Sequence, residues 1–449
     1  MKTALLHRGP FQLRNIGFAE FNGVSIDTRT LQKGDVFCAL QGSRFDGHHF
    51  VDVAFKSGAS AAIVNREYAA KAAGDEALII VDDTLKGLQD LARLYMQSLR
   101  IPAFALTGSA GKTSTRRLLS HVLRASRKIA ETPGNFNNHI GLPLSILRIR
   151  GDEDLIVLEM GTAHLGEIRD LCGIATPDYG LITSIGHAHI GGFGSIETVQ
   201  KAKFELFDSI RKGGTLFINQ NDARIRSYPD SVRHKRIRYG IDCFAHFSAR
   251  LLSVDDDACY TIKIEDRPIR LKTPGPGAAQ NAVAVYAVCR TLGLAEKSII
   301  ELMESFRPEP GRGRMEIWKD IKLIDDSYNA NPLSVRNALS TMKRIRSSGR
   351  KMLVFADMLE MGAESQRSHK AVAEQALDAG IRHLFCYGKE SFHTTVRAME
   401  LQMPYVKHFE DKHELAESLI SISRPGDVIL FKASRGMAVE EIIQIIKGL

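Results

Sequence analysis

No apolar run in this chain approaches the ~20 residues that a membrane-spanning helix needs, so no spanning segment is expected. The opening stretch Met1–Arg8 holds no signal-peptide core before charge and Pro10 interrupt it, and the expectation is a cytoplasmic protein. The six cysteines (Cys38, Cys172, Cys243, Cys259, Cys289 and Cys386) include no Cys-x-x-Cys pair, which argues against both a disulfide framework and a zinc site. Aromatic residues make up only 7%, with one tryptophan, and no basic-aromatic stripe of the kind that stacks nucleic-acid bases is present. The net charge of +8 is dispersed, and the short clusters Arg233–Arg236 and Lys343–Arg346 read as solvated surface. That charge suits anionic small molecules as readily as nucleic acid, and no nucleic-acid partner is expected. Internal repeats and low-complexity segments are also absent.

What is present is an ordinary globular composition, 44% hydrophobic and 25% charged, over 449 residues. That length suggests about three domains of roughly 150 residues. The most telling stretch is Ala105-Leu106-Thr107-Gly108-Ser109-Ala110-Gly111-Lys112-Thr113-Ser114-Thr115, an apolar run that feeds a glycine turn ending in Lys-Thr. Gly108 and Gly111 let the backbone curl so that successive N–H groups face an anion, and the helix that follows adds its positive end. Lys112 can then reach terminal phosphates while the Thr113 hydroxyl can bind Mg²⁺. The spacing is G-x-x-G-K-T and not the longer G-x-x-x-x-G-K-[ST], so context carries the reading: Phe104–Leu106 ends a strand, and Leu118, Leu119, Val122 and Leu123 recur at helical spacing. A glycine turn opening an ordinary helix is the alternative.

Three regions differ in character. From Val24 to about Asp83, short strands such as Val36–Leu40 and Leu78–Val81 alternate with turns in a small α/β module. The spacing of Leu85, Leu88, Leu91, Leu94 and Met96 predicts a connecting helix over 84–99. Strand-like runs at 155–158, 179–183 and 215–218 alternate with helical stretches, which implies a doubly wound parallel sheet with its ligand site at the carboxyl ends of the strands. From Met315 the alternation resumes, with strands near 322–324, 352–355, 384–387 and 428–431, and the boundary falls near Pro308–Gly311. The expected division is 1–83, 84–310 and 311–449.

Glu159 directly follows an apolar run and so sits at a strand's carboxyl end, where an acid can hold Mg²⁺ near phosphates; a capping or surface role is the alternative. Ile185-Gly186-His187-Ala188-His189 also follows a strand. Because Mg²⁺ prefers oxygen, two imidazoles alone would point to a transition metal or to an ordinary loop.

These stretches, together with Thr132–Asn138, Leu158–Gly161, Lys201–Lys203, Asp325–Pro332 and Asp357–Gly362, occur in the order seen in the Mur ligases of peptidoglycan synthesis, which the chain resembles from Asp27-Thr28-Arg29 to Lys432–Arg435. Tyr-Asn-Ala-Asn-Pro after paired aspartates is similar to the branch that adds D-alanyl-D-alanine. The resemblance implies an α/β protein of three domains: a small N-terminal UDP-binding domain, a central phosphate-loop ATPase domain and a Rossmann-like C-terminal domain. It implies an ATP-dependent amide ligase that joins D-alanyl-D-alanine to a UDP-N-acetylmuramoyl-tripeptide through an acyl phosphate, acting as a monomer.

Residue by residue, the resemblance makes Lys112, Glu159, His189 and Lys203 catalytic. Two Mg²⁺ ions are implied, with Thr113 and Glu159 serving one, His189 and a CO₂-carbamylated Lys203 the other; an exposed or phosphate-binding lysine is the alternative for Lys203. Gly108, Ser109, Ala110, Gly111, Lys112, Thr113, Ser114, Asn281, Arg314, Asp326 and Tyr328 match nucleotide contacts, with Arg314 expected to reach over from the C-terminal side. Thr28, Ser43, Arg44 and Phe45 match the uridine end of the UDP-sugar, and Thr132, Asn137, Asn138 and Thr162 its sugar and diphosphate. The chain departs from the family at His187, where proline is usual, at Ala110, where asparagine or serine is common, and at Gly277-Ala278 in place of His-Asn, a change expected to alter adenine contacts. Folylpolyglutamate synthase shares the phosphate-loop style, but its folate motifs are missing. A binding relative without activity is opposed by the joint retention of Lys112, Glu159, His189 and Lys203. The third residue of the tripeptide, diaminopimelate or lysine, has no motif to identify it.

Overall fold

The computed structural model describes residues 1–42, 45–72, 74–188, 190–230 and 232–448. Its strands form three sheets, each backed by helices. The first has five strands in the order 12–14, 78–81, 61–65, 36–38, 24–25, and only the first of these runs antiparallel to its neighbour. The helix Thr84–Leu99 leads out of it. Asp83 caps that helix by accepting from the Lys86 N–H, and the helix buries Leu88, Leu91 and Met96, as their spacing requires.

The central sheet has nine strands. Its parallel part places Ala103–Thr107 between Leu155–Glu159 and Tyr179–Ile182. After Ala103–Thr107 the chain moves to the edge strand Ile129–Glu131 and comes back through Leu155–Glu159, then crosses to the other side as Tyr179–Ile182. The order therefore reverses beside the phosphate loop, where open α/β sheets form their ligand crevice. Continuous burial of Ala103–Thr107 and Leu155–Glu159 explains their unbroken apolar runs. Phe247–Val254 pairs parallel to Lys235–Ile241, and Cys259–Ile264 and Arg267–Pro274 then extend the sheet as antiparallel strands, an addition that the simple α/β alternation does not anticipate.

The third sheet has six strands, in the order 314–318, 321–326, 428–432, 351–356, 383–387, 405–409, parallel except for the first hairpin. Here too the last strand, Val428–Lys432, inserts between Ile321–Asp326 and Lys351–Ala356, so a second crevice opens at their carboxyl ends. No regular element spans 306–313 between the central and third sheets. All six cysteines are free thiols, and among the described residues no helix is long and apolar enough to cross a membrane.

Candidate active site

The two crevices face each other across a cavity of about 850 Å³. Its central wall is the phosphate loop. Gly108 and Gly111 have φ of +151° and +83°, and a Cβ at Gly111 would lie 2.8 Å from Asn281 Oδ1. The loop is fastened from beneath: the Ser184 hydroxyl accepts from the Ala110 N–H at 3.0 Å, and the Ser109 hydroxyl donates to the Gly186 carbonyl at 2.9 Å. The helix Lys112–Leu123 begins at this point with no side-chain cap. Its first-turn N–H groups have no intrahelical acceptors and point toward the anion site.

Lys112 donates to its own loop at the Gly108 carbonyl, 2.7 Å away. Burial lowers its pKa, Glu159 partly restores it, and the nearby Arg312 lowers it further. Glu159, 2% exposed at its strand end, accepts on Oε1 from the Thr113 hydroxyl at 3.0 Å and from Asn137 Nδ2 at 2.9 Å. Its Oε2 accepts from Arg116 Nε at 3.1 Å. Thr113 in turn accepts from Arg312 Nη2 at 3.1 Å, so one chain of hydrogen bonds runs from the C-terminal side through the phosphate loop to Glu159.

The opposite wall comes from the Asp-Asp-Ser-Tyr-Asn-Ala-Asn-Pro segment. Its paired acids divide their work. Asp325 is structural, accepting from the Gly311 N–H at 2.7 Å and from the Ser327 N–H. Asp326 faces the cavity, where burial raises its pKa against the pull of Lys432 and Arg312. Asn331 Nδ2 donates to the Ser109 carbonyl at 3.0 Å and joins this wall to the phosphate loop. A second cavity of about 140 Å³ adjoins the loop and is lined by Gly111, Ser114, Gly277, Ala278, Asn281 and Asp326 among others. The departure at Gly277-Ala278 therefore lies beside the phosphate loop.

Of the residues singled out in the sequence, Ser109 to Ser114, Asn137, Asn138, Glu159, Thr162, Asp326 and Tyr328 line the larger cavity, and Asn281 lines the smaller. Asn138 and Thr162 also have structural bonds: Asn138 Oδ1 accepts from the Gly141 N–H, and the Thr162 hydroxyl donates to Glu167. Gly108 serves through its carbonyl. Arg314 is not brought to either cavity. It lies exposed on the strand Arg314–Trp318, and Arg312 reaches the phosphate loop instead, because Gly311 and Gly313, both at φ +78°, turn the backbone so that the residue between them projects inward over the Tyr328 ring at 3.7 Å. Thr132 is fully buried, and its hydroxyl accepts from the Glu159 N–H, so it positions Glu159 and lines neither cavity. Thr28 and Phe45 lie in the N-terminal sheet's loops away from both cavities, with the exposed Phe45 ring stacked on Phe50 at 5.2 Å. Ser43, Arg44 and His189 lie outside the described residues.

Lys203 lies on the helix Ile196–Asp208, 2% exposed, with no side-chain hydrogen bond or ion pair to a described residue. Burial and the neighbouring Lys112 push its pKa well below the usual lysine range, against the opposing pull of Glu167 and Glu205. Glu205 is itself engaged by the Gly166 N–H at 2.7 Å and the Arg169 N–H at 3.1 Å. Among the described residues no three His, Cys, Asp or Glu side chains converge on a metal position. The hydroxyl of Thr113 and the carboxylate of Glu159 are hard oxygen donors, a pair that fits a Mg²⁺ shared with phosphate oxygens and water and not an all-protein cage. Sequence patterns alone did not reveal Arg116, Arg312 or Lys432; a basic residue one turn beyond the loop lysine and an arginine between two glycines were the available signals.

Comparison with known proteins gives the same picture. Residues 20–96 match the model of the Mur ligase family catalytic domain, 106–289 the Mur ligase middle domain, and 313–435 the glutamate ligase domain of Mur ligases. The chain is 34% identical to the UDP-N-acetylmuramoyl-tripeptide–D-alanyl-D-alanine ligase of Bacillus subtilis, over 94% of this chain and 92% of that protein. Its structure superposes on a crystal structure of MurF from Acinetobacter baumannii with a TM-score of 0.89 at 26% identity, covering 100% of this chain and 99% of the other. It also superposes on MurF ligase from Thermotoga maritima in complex with ADP, with a TM-score of 0.83 at 27% identity and coverage of 95% and 97%.

Proposed function

The chain belongs to the Mur ligase family, and from that premise we infer that it joins D-alanyl-D-alanine to UDP-N-acetylmuramoyl-tripeptide, with ATP cleaved to ADP and phosphate. The observation that carries the reading is the single cavity in which a phosphate loop with Lys112 and Glu159 faces Arg312 and Asp326 from the C-terminal sheet. A carboxylate is a poor acyl donor, so it is first phosphorylated. A carboxylate oxygen of the tripeptide attacks the γ-phosphorus and ADP leaves; the dipeptide amine then attacks the acyl carbon, phosphate departs and the amine proton is lost.

For the first step the chain supplies charge and direction. Lys112, the first-turn N–H groups and Arg312 surround the position of the phosphates from opposite walls and oppose their negative charge as it shifts. Thr113 and Glu159 would hold Mg²⁺, which when bound polarises phosphate oxygens. Asn281, Asp326 and Tyr328 are assigned to the nucleotide. Asn137, Asn138 and Thr162 are assigned to the sugar and diphosphate, and Thr28 and Phe45, with Ser43 and Arg44, to the uridine. The divisions near residues 83 and 310 separate the uridine-binding, ATP-binding and ligase domains. All these residues lie on one chain, so a monomer suffices, and its nucleotide-linked substrates assign it to the cytoplasm.

Lys203 is assigned as a carbamate that, with His189, provides oxygen and nitrogen donors for a second Mg²⁺. A buried amine without an anionic partner gives up its proton readily, and the neutral amine is the form that adds CO₂, forming an N–C bond and releasing a proton. The product is an anion with the hard oxygens that the ammonium lacks.

The decisive experiment incubates the protein with ATP, Mg²⁺, UDP-N-acetylmuramoyl-tripeptide and D-alanyl-D-alanine and follows phosphate release and product mass. One dipeptide is expected to be added per phosphate released, with no reaction when the dipeptide is omitted. Phosphate release without a ligated product, or ligation of glutamate to a folate, would overturn the reading. Lysine- and diaminopimelate-containing tripeptides, tested side by side, identify the third residue.

A further inference from the structure

Arg116 lines neither cavity, yet its buried guanidinium joins three chain segments, two of which carry residues into the larger cavity. It lies four residues after Lys112 and three after Thr113, on the helix face that turns inward. Nε donates to Glu159 Oε2 at 3.1 Å, Nη1 to Glu131 Oε2 at 2.5 Å and Nη2 to the Gly134 carbonyl at 3.3 Å. Glu131 closes the edge strand, and Gly134 opens the loop that carries Asn137 and Asn138 into the larger cavity. Asn137 returns from that loop to Glu159 Oε1 at 2.9 Å, which closes a ring of contacts through Arg116, Glu159, Asn137 and Gly134.

Two consequences follow from the geometry. With Oε2 held by the guanidinium, the oxygen of Glu159 that remains directed at Thr113 is Oε1. And because the same planar group grips the backbone at Gly134, the loop and the carboxylate cannot shift independently without breaking a charge-assisted bond in a buried setting. Glu131 keeps this arginine in place, itself steadied by Ser120 at 2.8 Å and Arg124 at 2.6 Å.

We propose that Arg116 is a positioning residue that presents a single oxygen of Glu159 to the cation and ties that carboxylate to the 132–138 substrate loop, so that one side chain sets the affinity of both halves of the site. This rests on the reading of Glu159 as a Mg²⁺ ligand and of Asn137 and Asn138 as substrate contacts. Lysine at this position keeps the charge but gathers its donors on one nitrogen and cannot span the three acceptors as the planar guanidinium does.

The test uses the full-length protein and two binding measurements: Mn²⁺ with ADP, followed by electron paramagnetic resonance, and UDP-N-acetylmuramoyl-tripeptide, followed by calorimetry. Arg116→Lys is expected to weaken both by about tenfold, the range seen when residues that orient a metal ligand are replaced. Glu131→Gln, which touches neither Glu159 nor a cavity, covers the case in which Arg116→Lys does not fold, and is expected to weaken both by about threefold, a smaller loss because Arg116 and its bond to Glu159 remain. Unchanged affinities in the folded variants, or weakening of one ligand without the other, would overturn the proposal. Glu159→Gln separates the two layers of the argument. If it abolishes Mn²⁺ binding while Arg116→Lys leaves Mn²⁺ affinity unchanged, the positioning role fails alone; if Glu159→Gln binds Mn²⁺ normally, the reading of Glu159 beneath it fails.

Discussion

Lys203 in the central domain and Lys432 in the C-terminal domain are buried to the same degree, each 2% exposed, and the protein treats them in opposite ways. Lys432 has partners on every side: it donates to the carbonyls of Asp326, at 3.0 Å, and Asn329, and pairs with the Asp326 carboxylate at 3.0 Å. Strand register alone puts it there, since Asp326 and Lys432 are directly paired across adjacent parallel strands. Lys203 has no such partner among the described residues, and its neighbour Glu205 is taken up by backbone N–H groups of another helix. Burying an ion without a partner is costly, so a lysine left this way is held for something other than stability. The paired lysine braces the wall of the site, and the unpaired one is the lysine that the proposed function assigns to its chemistry.

Lys112 offers the strongest way to break that contrast, because it too lacks a carboxylate partner and bonds only to a carbonyl of its own loop. Lys112→Ala is expected to lower turnover by about a thousandfold or more, as the loss of a cation aimed at developing charge does, while leaving the melting temperature near that of the parent. Phosphate release and circular dichroism on the same sample check both halves. Near-parental turnover would remove the phosphate loop from the mechanism.

Lys203→Ala should cost about a hundredfold in turnover, the upper end for losing a residue that supports a metal site, and should not lower the melting temperature, since the ion removed had no partner. Acetate or formate is expected to restore part of the activity by replacing the missing carboxylate. A ¹³C carbamate resonance from protein equilibrated with labelled bicarbonate, absent in the variant, would sharpen the assignment. A large drop in melting temperature would instead make Lys203 a structural residue like Lys432.

The reverse profile is expected of Lys432→Met. It leaves Asp326 and two carbonyls without their donor, at a cost of about 2 kcal/mol in denaturant unfolding. Nucleotide binding would weaken only as far as the Asp326 wall loosens. Parental stability in this variant would erase the distinction between the two lysines.

The smallest effect is a matter of pH. Burial alone would raise the pKa of Asp427, but hydrogen bonds from Arg350 and Arg424 outweigh it, including a pair at 2.6 Å, and hold the carboxyl below its ordinary value. A depressed carboxylate stabilises the fold above its unfolded pKa, near ~4, and that contribution is lost as pH falls through the folded value. Asp427→Asn should therefore cost about 1 kcal/mol at neutral pH, and the gap should close in acid unfolding curves as pH falls below the unfolded value and through the lower folded one.

How much of this was visible in the sequence depended on distance along the chain. The helix 84–99 and the strand at 78–81 were legible residue for residue, because periodicity and an unbroken apolar run are local signals. The three strands at 247–274 were not. Each shows a face to solvent, so their apolar residues are interspersed with charges, and nothing in the α/β alternation called for them. Arg314 seemed the arginine to watch, yet the turn at Gly311 and Gly313 delivers Arg312 to the loop, an outcome of backbone geometry that motif matching does not resolve.

The sequence by itself determined the phosphate loop, the doubly wound sheets and the family, because a glycine curl, a run of buried apolar residues and a short motif are each written in neighbouring positions. Only the tertiary structure decided which buried charges are neutralised. Arg116 meets Glu159 across 43 positions, Lys432 meets Asp326 across 106 and Arg312 meets Thr113 across 199. The fate of a buried charge depends on what stands within a few ångströms of it, and chain order carries no trace of that until the sheets have formed and closed on each other.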